Sequence, residues 1–428
     1  MKEEINLNHI CKIEGHAHLS LKIENNKVTK CELKASEGAR FFEGLVLNKN
    51  IRDIQEIVSR ICGICSGAHS VCSIQGLENA LKIRPSEQQK KIREMLMIGE
   101  RIRSHTTHLY FLALPDYFNK ESILQMMPEH KEKINDALSL ISLGNKIVEI
   151  VGGREMHPFL KIKKEFPEND LKEIKNKLEK TKPIIYKTIN LFSGLEYPKL
   201  EREANYLSLN EENNYASISG NIKSSLNEFE TKDYKNFLKE SIKEYSTSKF
   251  VLMKDKPYML GSISRVNNNY NKLDFETKEI LTSLLKNLNI KLPFNNPYHN
   301  LICQSIELLE SVNKAISLIE NIVKIKYENQ DFKIKQGHGI SCVEAPRGIL
   351  FHEYKIDRFG KIIYCNIITP TAQNLNMMEN DITLLVNKLL SENKTKDEIV
   401  KEVEKLIRAY DPCFSCSTHF LKINWEKT

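Results

Sequence analysis

Apolar and polar positions alternate near both ends of the chain. Between residues 9 and 35 the sequence HICKIEGHAHLSLKIENNKVTKCELKA alternates around the turn-forming stretch ENNK, which predicts a β-hairpin. Alternation returns late in the chain, from GHGISCVEAPRGILFHEYKID through KIIYCNIITPT. The pattern therefore predicts a small β portion built from both ends of the chain.

The rest of the chain follows the period of an α-helix, starting near Asp53. The run PSEQQKKIREMLMIGERIRSHTTHLYFLAL is long and amphipathic, and it opens with a proline and a capping serine. Residues 200–225 are the most polar and loop-like. We expect a mainly α fold with a small β portion, a large helical bundle folded as a single domain over residues 1–428. The other helical patterns cover residues 130–150, 168–194, 272–288, 300–328 and 380–409.

Composition excludes several classes of protein. Hydrophobic residues make up 41% of the chain and charged residues 28%, so we expect a sizeable buried core. The net charge of +7 is small, and charged segments such as KKIREMLMIGERIR are interpreted as solvated helix faces, not as a nucleic-acid surface. The first residues lack the apolar core of a signal peptide, and no stretch has the ~18 apolar residues of a membrane span. These features predict a cytoplasmic protein without a membrane span.

Two Cys-x-x-Cys pairs lie far apart in the sequence. Cys62 and Cys65 belong to RICGICSGAHS, whereas Cys413 and Cys416 belong to DPCFSCSTH near the end of the chain. Each pair offers two thiolates to a soft metal, so the two pairs together could form a four-thiolate site. The remaining cysteines are isolated, and we expect them to be small buried side chains. They are Cys11, Cys31, Cys72, Cys303, Cys342 and Cys365.

The spacing of the two pairs leaves three interpretations open. Structural zinc sites usually close their pairs across about 15–20 residues, because a small module needs the metal to fold. Redox pairs of this type follow a strand in a βαβ unit, which the pattern does not show. The spacing therefore favours a catalytic transition-metal site, with structural zinc and redox thiols as the alternatives.

The segments around the cysteine pairs resemble the large catalytic subunit of nickel-iron hydrogenases. The matching blocks follow the family's order and approximate spacing over nearly the whole chain, and they include both cysteine pairs. The resemblance implies the fold of that subunit, with the active site between the two pairs, and it implies hydrogen oxidoreductase activity. The blocks are KIEGH at 12–16, EGARFFEGLVL at 37–47, RICGICSGAH at 60–69, GGREMHP at 152–158, EAPRG at 344–348, ITPTAQN at 368–374 and DPCFSCSTH at 411–419.

The resemblance also implies a metal arrangement. In this family one nickel is held by four sulfurs, and one sulfur from each pair also bridges to an iron that carries carbon monoxide and two cyanides. Carried onto this sequence, Cys62 and Cys413 are expected to bind nickel alone, and Cys65 and Cys416 to bridge nickel and iron.

Three further residues match catalytic positions of the family. Glu14 matches a glutamate that exchanges protons with a nickel thiolate, and the alternative is a structural carboxylate in a hairpin. Arg347 matches an arginine over the open metal position that binds a cyanide, whereas an arginine after a proline is more usually a surface residue. Asp411 matches an acid that orients Arg347.

Other residues are expected to surround the metals. Pro346 and Pro370 are expected beside the cyanides, and the Thr371 hydroxyl is expected to donate to one of them, unless it is a simple turn residue. His69 could hydrogen-bond a thiolate. A second site, for magnesium, is implied at Glu43, the backbone of Ile367, and His419.

Four positions refine this assignment. His105 and His108 have helix-face spacing, but we interpret both as buried histidines with hydrogen-bond partners, not as metal ligands. Lys12 stands where many members have arginine, which we interpret as a conservative surface change. Ser104 stands where membrane-bound members have an acid, which points to the soluble, cytoplasmic branch.

The remaining cysteines show no iron-sulfur spacing, so we expect no iron-sulfur cluster in this chain and a partner that carries the electrons. The resemblance implies an iron-sulfur small subunit, ferredoxin-like and flavin/NAD(P) reductase subunits, nickel-insertion factors and a maturation endopeptidase. NAD(P) is the favoured acceptor, and a deazaflavin or a heterodisulfide reductase is the alternative. A non-catalytic scaffold of respiratory complexes is a further alternative, but those relatives have lost the thiols.

The tail after His419, FLKINWEKT, has its own prediction. In members of the family an endopeptidase removes a short C-terminal extension just after this histidine. Residues 420–428 are therefore expected to be cleaved, and the alternative is an ordinary C-terminal strand.

Overall fold

The structure is a computed structural model that describes residues 2–36, 41–127, 129–160, 168–322 and 333–418. Helices dominate these ranges, as the sequence pattern predicts. None of the helices in them is both long and apolar enough to cross a membrane. The α-helices are α1 (Phe42–Leu45), α2 (Ile51–Ser59), α3 (Ser66–Leu81), α4 (Glu87–Thr107), α5 (Leu114–Tyr117), α6 (Lys131–Gly152), α7 (Glu168–Ser193), α8 (Ser262–Asn269), α9 (Phe275–Leu288), α10 (Asn300–Ile322), α11 (Pro370–Ser391), α12 (Lys396–Ala409) and α13 (Phe414–Ser417).

The strands form small antiparallel sheets. One sheet has the order β1-β2-β3, a second the order β11-β10-β9, a third β4-β5-β6, and the last pairs β7 with β8. The strands are β1 (Lys2–Leu7), β2 (Ala17–Glu24), β3 (Lys27–Ala35), β4 (Ser208–Asn210), β5 (Asn221–Lys223), β6 (Glu228–Phe229), β7 (Leu238–Ile242), β8 (Lys249–Met253), β9 (Gly337–Ala345), β10 (Gly348–Ile356) and β11 (Ile362–Ile368).

The predicted N-terminal hairpin is confirmed. Strand β2 pairs with β3 from Ala17 opposite Ala35 to Glu24 opposite Lys27. The turn residues Asn25 and Asn26 have φ values of 51° and 60°, and a two-residue hairpin turn of type I′ requires this left-handed conformation at both positions. The late β patch is confirmed as β9, β10 and β11. The expectation that only the two ends supply strands is wrong, because β4 to β8 lie in the middle of the chain.

The helical predictions are confirmed with one clear correction. Residues 380–409 were predicted as one helix, but the structure has α11 and α12 there, and α11 begins earlier, at Pro370. The break falls where Asn393 adopts a left-handed φ of 56°. Thr395 then starts α12 with a capping box, in which its side chain and that of Glu398 bond each other's backbone amides. Residues 323–328 of the predicted 300–328 helix lie outside the described residues.

Close helix and sheet packing positions the centre of the molecule. Helix α4 packs on α6 and α10, and α3 packs on β9 and β10. A Cβ atom at Gly144 would lie 2.7 Å from the carbonyl oxygen of Gly99, so the backbones of α4 and α6 touch directly. A Cβ at Gly339 of β9 would likewise lie 2.1 Å from the carbonyl oxygen of Gly76 in α3. The first turn of α3, which follows the first cysteine pair, is buried.

Candidate metal centre

The fold brings the two cysteine pairs together. Cys62 lies in the turn after α2, and Cys65 is the N-cap of α3; Cys413 is the N-cap of α13, which contains Cys416. The ligand atoms of the four residues all lie within 4.8 Å of one another. The Sγ atoms of Cys62 and Cys413 are 3.7 Å apart, and those of Cys65 and Cys416 are 3.4 Å apart. The predicted four-cysteine site is therefore formed.

The chemistry of these sulfurs fits a soft metal ion. All four side chains are buried. A hydrogen bond with Cys62, together with burial, raises the pKa of the Cys65 thiol well above its ordinary value, so a thiolate there needs a bound cation for charge balance. Cys413 and Cys416 form a disulfide in the structure, and a metal would bind them in the reduced form. Four converging thiolates match the donor set expected for nickel and iron.

Glu14 lies directly beside the second cysteine pair. Its backbone forms a parallel bridge with Cys413, and its carbonyl oxygen accepts the amide of Phe414 at 2.8 Å. Its carboxylate Oε2 lies 2.9 Å from Cys413 Sγ and 3.3 Å from the amide nitrogen of Ser415. The hydroxyl of Ser415 donates to the other carboxylate oxygen. Glu14 is thus fixed on a sulfur of the site, not left free in the hairpin region.

Arg347 and Asp411 form a buried pair next to the sulfurs. Arg347 Nε donates to Asp411 Oδ1 at 3.0 Å and to its backbone oxygen at 2.8 Å, and Nη2 lies 2.9 Å from Oδ1. Burial opposes the charge of the guanidinium, but the neighbouring carboxylate of Asp411 outweighs it and raises the pKa of Arg347 above its ordinary value. Burial opposes ionisation of Asp411, but the charge of Arg347 outweighs it and lowers the pKa of that carboxyl. Nη1 of Arg347 is buried and has no hydrogen-bond partner among the described residues.

Thr371 and its neighbours hold the second pair from another side. The Thr371 hydroxyl accepts the amide of Cys413 at 2.8 Å, so its hydrogen stays available to donate. Pro370 begins α11 immediately before it. Pro346 precedes Arg347, and its carbonyl oxygen accepts Arg265 Nη2 at 2.9 Å.

His69 lies on α3, behind the first cysteine pair. Its Nδ1 is 3.1 Å from Nε2 of His352, whose Nδ1 is 2.6 Å from the hydroxyl of Tyr354. The contact to a thiolate that we predict for His69 stays a prediction, and the structure adds this buried chain of three polar side chains to it.

The expected magnesium ligands are arranged around a lysine. Glu43 Oε1 accepts the amide of Ile367 at 2.7 Å, so the two predicted ligands are adjacent. Lys249 Nζ lies 2.7 Å from the same Oε1 and 3.5 Å from the carbonyl oxygen of Ile367. The third predicted ligand, His419, lies outside the described residues.

His105 and His108 are buried and hydrogen-bonded, as predicted. His105 Nε2 lies 2.8 Å from Glu307 Oε2, and His108 contacts Gln304 and the backbone of Arg408. The interpretation of Lys12 as a surface residue is wrong, because its side chain is only 15% exposed and pairs with Asp116.

Ser104 is buried, and its hydroxyl has no hydrogen-bond partner among the described residues. The position at which membrane-bound members are expected to carry an acid is therefore a buried hydroxyl in this protein.

The sequence analysis missed two residues of α4 that hold the first cysteine pair. Glu100 is fully buried and accepts the amides of Gly67 at 2.5 Å and Ala68 at 3.0 Å, so it caps the start of α3. Burial raises the pKa of Glu100 to about 7. Arg103 Nη2 donates to the carbonyl oxygen of Ile64 at 2.9 Å, between the two cysteines.

Two further residues, equally missed, hold the Arg347 and Asp411 side of the site. Arg265 is fully buried between Glu307 and Glu344 and bonds the backbone just before Arg347. Gln304 Nε2 donates to Asp411 Oδ2 at 3.0 Å. Gln304 lies in a segment that was predicted only as part of a helix, and no element was predicted for the segment of Arg265, so the pattern carried no signal for either residue.

Comparison with known proteins gives the same assignment over the whole chain. A family model described as nickel-dependent hydrogenase matches residues 40–151 and 136–419. Sulfhydrogenase 1 subunit alpha of Pyrococcus furiosus is 35% identical, with 98% of each chain covered. Sulfhydrogenase 2 subunit alpha of the same organism is 34% identical, covering 98% of this chain and 100% of that subunit.

Solved structures agree on the fold. The structure of an NAD+-reducing [NiFe]-hydrogenase in the H2-reduced state matches with a TM-score of 0.86 at 19% identity, covering 97% of this chain and 99% of that one. A [NiFeSe]-hydrogenase from Dm. baculatum matches with a TM-score of 0.76, also at 19% identity, covering 98% of this chain and 100% of the other. Since the family model spans most of the chain and the four cysteines form the expected site, this protein belongs to the nickel-dependent hydrogenases, as a catalytic large subunit with hydrogen oxidoreductase activity.

Proposed function

We propose that this subunit catalyses reversible heterolytic cleavage of H2 at a nickel-iron centre whose iron carries carbon monoxide and two cyanides. The observation that carries the proposal is the set of four buried sulfurs within 4.8 Å, contributed from both ends of the chain. Cys62 and Cys413 would bind nickel alone, and Cys65 and Cys416 would bind both metals. When bound, the metals supply the redox chemistry that separates H2 into protons and electrons.

Polar groups beside the sulfurs could donate hydrogen bonds to the two cyanides, which favours the proposed iron ligands. The unpartnered Nη1 of Arg347 offers a buried N–H to one cyanide. The Thr371 hydroxyl, which already accepts the Cys413 amide, offers an O–H to the other. The carboxylate of Asp411 orients the guanidinium through two contacts with Arg347, and Pro346 and Pro370 would line the space for the cyanides.

Glu14 is the proposed proton carrier. Its carboxylate lies 2.9 Å from Cys413 Sγ, within the reach that direct proton transfer requires. The hydrogen bonds from Ser415 hold that carboxylate on the sulfur. Because Glu14 is only partly buried, it connects a buried sulfur to the exterior of this chain.

Electrons would leave through other subunits. We propose an iron-sulfur small subunit, with ferredoxin-like and flavin/NAD(P) reductase subunits and NAD(P) as the final acceptor, in the cytoplasm. The relatives named as alpha subunits support a multi-subunit enzyme, and the likeness to an NAD+-reducing hydrogenase supports this acceptor. Coupling to a deazaflavin or a heterodisulfide reductase is the second candidate. Relatives at 27% identity are named F420-non-reducing hydrogenase subunits, and because F420 is a deazaflavin, that name speaks against the deazaflavin. H2-dependent reduction of NAD(P)+ by the purified complex is the test.

The metal assignment is tested on protein from the native host. We expect nickel and iron in equal amounts, with infrared bands of carbon monoxide and cyanide; zinc alone would refute the proposal. Cys65→Ser should lose both metals and H2 turnover, because an alcohol cannot replace a bridging thiolate. Cys303→Ser is the matched control: this isolated cysteine is equally buried, so its variant should keep both metals.

A further inference from the structure

Lys249 is a buried cation at the start of β8. Its side chain is 10% exposed, and its Nζ lies among four oxygen atoms. These are Glu43 Oε1 at 2.7 Å, Asn366 Oδ1 at 2.7 Å, Glu240 Oε2 at 2.8 Å and the carbonyl oxygen of Ile367 at 3.5 Å. An ammonium group thus occupies an oxygen-lined position deep in the protein.

Two carboxylates surround this ammonium. Those of Glu43 and Glu240 lie 2.7 Å and 2.8 Å from Nζ, so their negative charges compensate its positive charge. Glu240 is further held by Asn366 Nδ2, which donates to its Oε1 at 2.6 Å.

Two of these oxygens belong to the residues expected to bind a magnesium ion. Magnesium requires oxygen ligands at about 2.0–2.1 Å in octahedral geometry. Oε1 of Glu43 already accepts both Lys249 Nζ and the amide of Ile367, each at 2.7 Å. A divalent ion bound to Glu43 and the Ile367 carbonyl would stand beside an ammonium that contacts the same atoms, and the two like charges would repel each other. Oε1 of Glu43 therefore does not fit a magnesium ion while Lys249 is in place.

We propose that the ammonium of Lys249 takes the place of a divalent cation at this position, so that the subunit carries a built-in cation between Glu43 and β11. The lysine is a positioning residue. It joins α1, β7 and β8 to β11, and β11 leads within three residues to Thr371, whose hydroxyl holds the amide of Cys413. A cation covalently attached to the chain cannot be removed by a chelator.

The metal content of the active holoenzyme tests the proposal directly. In holoenzyme purified without chelators and in buffers that contain magnesium, we expect nickel and iron, with no magnesium or other divalent ion in comparable amount. Magnesium in an amount equal to nickel would overturn the proposal, whatever the identity of the metals at the cysteines.

Lys249→Ala supplies the second test. Removing the ammonium leaves the oxygens of Glu43, Glu240, Asn366 and Ile367 around an open space, so the variant should take up Mn2+ in an amount equal to the chain. Electron paramagnetic resonance detects the bound ion, and added Mn2+ should raise the thermal midpoint of the variant but not of the wild type. Lys243→Ala is the control, because Lys243 pairs with the carboxylate of Glu379 without this oxygen cage and should gain no Mn2+ site.

Two other outcomes are also decisive. A folded Lys249→Ala chain that binds no Mn2+ would count against the proposal, since the lysine would then not fill a cation site. If that variant does not fold, Lys249→Gln keeps hydrogen bonds to the same oxygens without the charge. A gain of stability with Mn2+ in Lys249→Gln supports the proposal, and stability unaffected by the ion opposes it.

Discussion

Glu14 is partly exposed, and its carboxylate contacts the buried sulfur of Cys413. Its identity could be read from the KIEGH block, as could those of the four cysteines, because these residues act through their own chemistry within short motifs. Residues that act by supporting others could not be read in this way. Lys249 and Arg265 lie in segments for which the pattern predicted neither a strand nor a helix, and only the fold shows which oxygens surround them.

Replacing Glu14 with glutamine should separate proton transfer from metal binding. The amide cannot accept and release a proton, so we expect H2 turnover to fall by about 10²- to 10⁴-fold. Nickel and iron contents should stay unchanged, because Glu14 is not expected to be a metal ligand. Glu3→Gln, at an exposed position of β1, is the control and should keep full turnover. Wild-type turnover in Glu14→Gln would show that the proton leaves by another route.

Arg347→Lys tests the planar donor group beside the sulfurs. A lysine keeps the charge but cannot bond Asp411 through two nitrogens and also present a third N–H to the site. We expect both metals to be retained and turnover to fall by about tenfold or more. The infrared bands of cyanide should also shift. Arg358→Lys changes an exposed arginine in the same way, and its kinetics should match the wild type; unchanged kinetics and bands in Arg347→Lys would remove this residue from the site.

At the scale of elements, the start of α3 depends on α4. The amphipathic pattern predicts α4 correctly. The prediction that its charged residues form a solvated face is confirmed for Lys90, which is exposed. Glu100 and Arg103 are buried instead, because α4 is packed against several elements in its second half. Helical periodicity identifies one apolar stripe, so it cannot show that charged residues on the other faces are also covered.

Glu100→Gln should weaken the first cysteine pair through this contact. Both carboxylate oxygens accept backbone amides of α3, and a glutamine would point its NH2 group at one of them. A lost buried hydrogen bond of this kind costs about 1–3 kcal/mol. We expect a lower thermal midpoint and a lower nickel content. Glu87→Gln, on the exposed first turn of the same helix, is the control. A stable, fully nickel-loaded Glu100→Gln would mean that this carboxylate does not support the pair.

The middle strands show a second limit at this scale. Strands β4 to β8 are two to five residues long, too short for alternation to separate them from loops. The start of α12 did carry a signal, since Thr395 and Glu398 have the spacing of a capping box, but the apolar period continued across the break.

At the scale of the whole molecule, the sequence predicted a single helical unit with its two ends at the centre. The bridge between Glu14 and Cys413 is the contact that realises this arrangement. The expectation that the isolated cysteines are buried is confirmed for Cys72, Cys303 and Cys342, but Cys11 is exposed and Cys31 and Cys365 are only partly buried. The type of a single residue does not determine how deeply it is buried, because burial depends on how all the elements pack around it.

The tail after His419 gives a prediction for the complete chain. We propose that an endopeptidase removes residues 420–428 once nickel is bound. Intact-mass measurement of nickel-loaded protein from its native host should give a chain that ends at His419. The control is nickel-free protein from the same host, which should keep the full length. An active, metal-replete enzyme that still carries Thr428 would contradict the proposal.

The bridge between Glu14 and Cys413 also sets an order of events during synthesis. The two residues are separated by 399 positions. At the usual rate of about 5–20 residues per second, the ribosome needs about 20–80 seconds to make the chain between them. During that interval Glu14 cannot form its bridge to Cys413, and Cys62 and Cys65 lack the second cysteine pair. The metal site is therefore completed only after the segment that carries Cys413 has been made and returns to Glu14.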